Sequence, residues 1–139
     1  MAQTGLTVFH NPSCTKSRKS TALLEESQDN GNFKVQVVKY KESPPSRETL
    51  ETLVEYLGMK SDDPSIERPW KEDSPWDYLL RPEAQKKAKS FEEAFDIIEN
   101  DPAMLERPFV IDWDNRVAVL GRPDISRVEK LVAERVASN

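Results

Sequence analysis

Apolar and β-branched segments that end at turn-forming residues predict the strands of this chain. The first is 6–9, which stops before an Asn-Pro pair, and the second is 33–38, where apolar and polar positions alternate before becoming continuously apolar. Segments 109–112 and 116–119 flank the short loop 113–115 and predict an antiparallel hairpin. The pattern therefore predicts four strands, two near each end of the chain.

Amphipathic spacing predicts helices after the first, second and fourth strands. The first helix covers about 15–26 and is stopped by the Asp-Asn-Gly-Asn run at 29–32. The second follows a cap at Ser46 and ends at Gly58, and the last covers about 124–137. The opening strand, helix and strand form a right-handed βαβ unit with parallel strands.

The stretch 61–103 combines prolines and acidic clusters with a helical pattern at 91–98. Its tryptophans need a packing partner, so we interpret it as a helical insertion and not as a linker. The element order βαβα, helices, ββα predicts an α/β fold. At 139 residues the chain is long enough for one domain, 1–139, with its own core.

Composition narrows the function classes. The formal net charge of −5 and the pI near 5.0 argue against nucleic-acid or anionic-membrane binding, and the mean hydropathy of −0.71 predicts a soluble protein. No targeting segment or apolar run of about 18 residues is visible. The single cysteine excludes an internal disulfide and suits a reducing compartment, so we expect an intracellular, cytoplasmic protein.

The only histidine and the only cysteine, His10 and Cys14, lie in the turn after the first strand. A lone cysteine is more often inert, but this one begins a helix in a polar turn and cannot be a core residue. Helix amides, His10 and the cations Lys16 and Arg18 are each able to lower the pKa of its thiol. The helix N-terminus is also an anion site, although Arg18 alone is most simply an exposed helix residue.

Arg-Pro pairs occur four times in the chain, each placing an arginine in extended backbone. Arg107 stands out because it directly precedes the strand 109–112, which brings it to the end of a sheet strand that faces the first helix. The sequence therefore places an arginine near the candidate thiol. The pairs are Arg68-Pro69, Arg81-Pro82, Arg107-Pro108 and Arg122-Pro123.

Four motifs resemble a known family. HNPSC at 10–14 is followed by T-x-SRK, then by LLR at 79–81, ERPFVI at 106–111 and LGRP at 120–123. In this order they resemble the glutaredoxin-coupled arsenate reductases of thioredoxin-like fold, the ArsC family, which is related to the Spx-type proteins. The resemblance covers nearly the whole chain and implies a thioredoxin-like fold.

The resemblance also implies roles for residues of the first motif. Cys14 matches the nucleophile, His10 the histidine that favours its thiolate, and Asn11 and Ser17 the polar residues around it. Pro108 matches a proline that is cis in this fold.

Three arginines match those that bind the oxyanion in the family: Arg81, Arg107 and Arg122. Their planar forks suit a tetrahedral oxyanion. Arg81 follows a segment longer than is usual in the family, and Arg68 is an alternative to it.

The implied reaction begins with attack of the Cys14 thiolate on arsenate or another oxyanion. Glutathione then serves as co-substrate, and glutaredoxin resolves the mixed disulfide. We expect no tightly bound cofactor, no metal and a monomer. The second thiol must come from another molecule, because the chain has one cysteine.

Two other functions remain open. The same fold supports a glutathione-dependent thiol-disulfide oxidoreductase, or deglutathionylase, in which the arginines recognise glutathione carboxylates. A transcription regulator of Spx type that binds RNA polymerase is disfavoured by the acidic balance. It is disfavoured further by Ser17, which occupies the position of a second cysteine in a C-x-x-C switch.

Overall fold

A computed structural model describes residues 3–137. Within these described residues, eight regular elements follow one another, with three short 3-10 turns at Pro75–Leu79, Pro82–Ala84 and Pro102–Met104. The elements are β1 (Leu6–Phe9), α1 (Thr15–Gly31), β2 (Val35–Val38), α2 (Arg47–Leu57), α3 (Phe91–Asn100), β3 (Phe109–Asp112), β4 (Val117–Leu120) and α4 (Ser126–Ala137).

The four strands form one mixed sheet in the order β2-β1-β3-β4. β1 pairs with β2 in parallel, as the βαβ prediction requires, and β3 pairs antiparallel with both β1 and β4. The α/β prediction is confirmed, and the arrangement is thioredoxin-like.

The chain divides into two compact units. The sheet unit combines the described residues up to Lys39 with those from Arg107 onward, and the helical unit is Tyr40–Glu106. The predicted insertion 61–103 lies within the helical unit, which also contains α2. That 1–139 folds as one domain stays a prediction.

The core of the sheet unit lies between β1, β3 and the helices α1 and α4. Its members are apolar side chains that alternate along the strands or recur at helical spacing. They are Leu6, Val8, Leu24, Phe33, Val110, Val128, Leu131 and Val132.

The predicted ends of several elements in the sheet unit were wrong. α1 continues to Gly31, because the chain leaves the helix only at Asn32, which adopts a left-handed φ of 51°. β2 begins at Val35 and α4 at Ser126, two residues later than predicted in each case. β4 begins at Val117, since Arg116 has a φ of 57° and belongs to the hairpin loop.

The helical unit shows the predicted signals of α2. The Ser46 hydroxyl accepts a hydrogen bond from the Thr49 amide at 3.1 Å, and Gly58 ends the helix with a φ of 92°. Arg47 then joins α2 to α3 by pairing with three carboxylates of α3 and lying 5.4 Å from the ring centre of Phe95. The carboxylates are those of Glu92, Asp96 and Glu99.

Only part of 61–103 is regular helix. The pattern at 91–98 is confirmed as α3, but the preceding aromatic and proline residues form 3-10 turns and loop. Among the described residues, none of the helices is long and apolar enough to cross a membrane.

Candidate active site

Cys14 lies in the loop between β1 and α1, and it is the residue immediately before the helix. Asn11, only 4% exposed, organises this loop from inside. Its side-chain oxygen accepts from the Ser13 amide, and its carbonyl accepts from the Cys14 amide, both at 3.0 Å. The partly exposed Cys14 thiol is therefore held at the N-terminus of α1.

Ser17, one turn into α1, is fully buried and links this loop to His10. Its hydroxyl accepts from the Asn11 amide at 2.9 Å and lies 2.6 Å from Nδ1 of His10. The Asn11 amide and Nδ1 of His10 therefore meet at one hydroxyl.

Thr21 is a site residue that the sequence analysis missed. Its hydroxyl lies 3.1 Å from the same His10 nitrogen, and the residue is 7% exposed. Its spacing of four from Ser17 places both hydroxyls on one face of α1. This spacing is the sequence signal for Thr21, but it identifies a site residue only when His10 lies over this face of α1.

The pKa of His10 is lowered from its usual range. Burial is the largest cause, and the positive charge of Lys39 adds to it, whereas Glu25 opposes the shift. A pKa below the usual range favours the neutral form of His10 at pH 7. Its role in favouring the Cys14 thiolate stays a prediction.

The pKa of the Cys14 thiol is lowered, although partial burial alone raises it. The opposing causes are hydrogen bonds from the Ser17 amide, from the Arg107 side chain and from the Lys16 amide, followed by the charge of Arg107. Helix amides and a guanidinium both stabilise the thiolate. The thiol that the sequence predicts to be activated at a helix start thus accepts hydrogen bonds from two helix amides and one arginine.

Arg107 and Arg122 reach the thiol because of the register of the sheet. Phe9 pairs with Phe109 and Phe109 with Leu120, so the end of β1, the start of β3 and the end of β4 lie at one edge. Arg107 precedes β3 by two residues, and Arg122 follows β4 by two. Nη1 of Arg122 lies 3.7 Å from the Cys14 sulfur.

Pro108 and Gly121 complete this edge. The Arg107-Pro108 bond is cis, as expected, and so is Arg122-Pro123, which the sequence analysis did not predict. The Gly121 amide donates to the Pro108 carbonyl at 2.8 Å. A Cβ at position 121 would lie only 2.8 Å from Pro108 Cγ, so this close approach requires glycine.

Arg81, the third predicted oxyanion ligand, belongs to the helical unit and is paired there. Its Nη1 donates to Glu106 at 2.9 Å, and its Nε lies 3.7 Å from Glu83. A bridge between Leu80 and Leu105 sets the two chain segments side by side. The role of Arg81 in binding an oxyanion stays a prediction.

Arg68, the alternative to Arg81, binds backbone of its own loop. Its Nη2 donates to the carbonyls of Ser61 at 2.8 Å and Asp63 at 3.0 Å. Through these bonds Arg68 stabilises the loop that follows α2.

Fold and site together define a thioredoxin-like protein with one activated thiol beside two arginines. Residues 2–121 match the family described as "Protein of unknown function (DUF1687)". The "Arsenate reductase" of Neisseria meningitidis serogroup A is 31% identical over 133 residues, which cover 84% of this chain and 89% of that protein. The chain belongs to the ArsC-like family.

Two further relatives support this assignment. The "Uncharacterized protein YfgD" of Escherichia coli K12 is 34% identical over 116 residues, covering 84% of this chain and 87% of that one. The solved structure of the "Arsenate reductase from Vibrio cholerae" is 28% identical, with a TM-score of 0.63 over 92% of this chain and 98% of the other.

Proposed function

We propose that this protein is a thiol-dependent oxidoreductase that reduces arsenate to arsenite through Cys14. The observation that carries the proposal is the Cys14 sulfur, whose pKa is lowered by helix amides and Arg107 and which lies 3.7 Å from Arg122. The names of the relatives support an oxidoreductase and suggest arsenate as substrate.

In the proposed first step, the Cys14 thiolate attacks arsenic(V). A sulfur–arsenic bond forms, and one arsenate oxygen leaves as water after protonation. Arg107 and Arg122 bind the remaining oxyanion, because their guanidiniums neutralise its charge and donate paired hydrogen bonds.

The second step needs an external thiol, which we propose to be glutathione. Its thiolate attacks the Cys14 sulfur, a disulfide forms, and the sulfur–arsenic bond breaks with its electron pair remaining on arsenic. Arsenic is thereby reduced from five-valent to three-valent and leaves as arsenite, while the two sulfurs are oxidised. Glutaredoxin then returns Cys14 to the thiol by disulfide exchange.

The test is arsenite production by the purified protein with arsenate, glutathione and glutaredoxin. We expect arsenite to form with wild-type protein and to fall to background with Cys14→Ser. Omitting glutathione should leave at most the arsenic adduct. Equal arsenite from wild type and Cys14→Ser would refute the proposal.

One observation favours a second function, a glutathione-dependent thiol-disulfide oxidoreductase. Arg81 forms an ion pair with Glu106 at 2.9 Å, which leaves Arg107 and Arg122 near the thiol. Two guanidiniums are enough to bind a carboxylate of glutathione. Removal of glutathione from a glutathionylated peptide, at a rate that arsenate does not change and that Cys14→Ser abolishes, would establish this function. The two assays therefore separate the candidates.

A further inference from the structure

Arg18, in the first turn of α1, is an exposed arginine that is anchored to the loop bearing Cys14. Its Nη1 donates to the Pro12 carbonyl at 2.9 Å, and its Nη2 donates to the Thr15 hydroxyl at 3.2 Å. The two acceptors flank Cys14 in sequence. A guanidinium held in this way has lost part of its side-chain freedom before any ligand arrives, which lowers the entropic cost of binding.

The anchored guanidinium keeps donors for a ligand. It has five N–H groups, of which these two bonds use two. The remaining donors belong to an exposed group, and a planar fork with free N–H groups binds a carboxylate well. The charge of Arg18 also extends to the site, since with Lys39 it lowers the pKa of His10.

Arg18 differs in position from the other two arginines. Arg122 contacts the Cys14 sulfur itself, and Arg107 donates to it, so both act on the group bound to sulfur. Arg18 instead is exposed and bonds to acceptors on either side of Cys14 in sequence, so it is open to an external thiol that comes to the sulfur. Such a thiol is required because the chain has a single cysteine.

We propose that Arg18 binds a carboxylate of the thiol that reacts with Cys14 and so selects anionic peptide thiols such as glutathione. This inference rests on the proposed function, because it identifies a recognition residue for the second step. Arg18 here orients the co-substrate and does not activate the thiol.

Disulfide exchange isolates this recognition from arsenate chemistry. When the Cys14 thiolate attacks glutathione disulfide, a Cys14–glutathione disulfide forms, the original disulfide breaks, and one glutathione leaves as thiolate. The same reaction with the uncharged bis(2-hydroxyethyl) disulfide involves no carboxylate. The ratio of the two second-order rate constants therefore measures selection for the anionic partner.

The experiment compares this ratio in wild type, Arg18→Gln, Arg18→Lys and Lys19→Gln at low ionic strength. We expect Arg18→Gln to lower it about five-fold, as for the loss of one exposed ion pair, and Arg18→Lys to lower it less. Lys19 is the exposed neighbour of the same charge, so Lys19→Gln should change the ratio by less than about two-fold.

Three results would overturn the inference: an unchanged ratio in Arg18→Gln, an equal loss of both rates, or the same fall in Lys19→Gln. An equal loss would mean that Arg18 acts on Cys14 itself. Thermal melting of each variant confirms that it is folded. If arsenate reduction fails while the ratio still falls in Arg18→Gln, the arsenate proposal is refuted and the recognition role of Arg18 stands.

Discussion

Arg107 lowers the pKa of Cys14 both by a hydrogen bond and by its charge, so removing it should make the thiol less reactive. Because the pKa is lowered, the thiolate of Cys14 forms at a lower pH than that of an ordinary cysteine. We expect Arg107→Gln to move the pH profile of Cys14 alkylation to higher pH and to slow alkylation at pH 7 several-fold. The measurement is the rate of iodoacetamide labelling between pH 5 and pH 10.

Arg116→Gln is the matched control for this change, because Arg116 is an exposed arginine of the loop at the far end of the same hairpin. It removes the same charge without touching the thiol. If both variants shift the profile equally, net charge and not the Arg107 contact sets the pKa of Cys14.

His10 should act on Cys14 through the contact of its Nδ1 with Ser17, whose amide donates to the Cys14 sulfur. The side-chain oxygen of asparagine occupies nearly the position of Nδ1, whereas that of glutamine corresponds more closely to Nε2. We therefore expect His10→Asn to keep most of the alkylation rate at pH 7 and His10→Gln to lose several-fold. Equal losses in both variants would contradict a role for the Nδ1 contact.

The reactive thiol was predictable from the sequence because the helix-start contribution to it is local, whereas the contribution of Arg107 depends on the register of the sheet. Cys14, the helix start and His10 lie within a few residues of one another. Thr21 was not predictable in the same way, because its contact with His10 depends on how α1 lies against the end of β1.

At the level of elements, the close approach of Gly121 to Pro108 should be sensitive to a single methyl group. Gly121→Ala would place Cβ 2.8 Å from Pro108 Cγ and 3.1 Å from the Ser20 hydroxyl. We expect a loss of about 1–3 kcal/mol in the free energy of unfolding, as for overpacked cores. Urea denaturation followed by circular dichroism measures this loss.

Ser20 offers the control for this prediction. It is fully buried, and within residues 3–137 its hydroxyl has no hydrogen-bond partner. Ser20→Ala alone should therefore cost little stability, and combined with Gly121→Ala it should recover part of the loss. If the double variant is as unstable as the sum of its parts, contact with Ser20 is not a source of the strain.

α2 followed from the sequence because its hydrophobic periodicity is regular, and β1 because a short apolar and β-branched segment ends there at turn-forming residues. The ends of α1 and β4 did not, since Asn32 and Arg116 adopt left-handed backbone that many residues avoid. The 3-10 turns of the helical unit are too short to show a period. The Arg81–Glu106 pair depends on a bridge between segments 25 residues apart, which no local pattern reveals.

At the scale of the whole molecule, one cysteine makes every disulfide of this chain intermolecular. Position 17 controls this property, because the Ser17 amide donates to Cys14 and a cysteine there would complete a C-x-x-C motif. Ser17→Cys should therefore change the redox cycle from one that needs an external partner to one that resolves itself. The same change removes the hydrogen bonds of the Ser17 hydroxyl with His10 and the Asn11 amide, so it should also lower the free energy of unfolding.

Mass spectrometry after treatment with glutathione disulfide distinguishes the two cycles. Wild type should hold one glutathione per chain until a reductant is added. Ser17→Cys should release it and end as an internal disulfide without added mass from glutathione, because the second thiol attacks the mixed disulfide at high effective concentration. Ser17→Ala should keep the adduct as wild type does. A stable adduct on Ser17→Cys would show that side chain 17 cannot reach the Cys14 sulfur, and that burial of position 17, rather than its missing thiol, fixes the dependence on a partner.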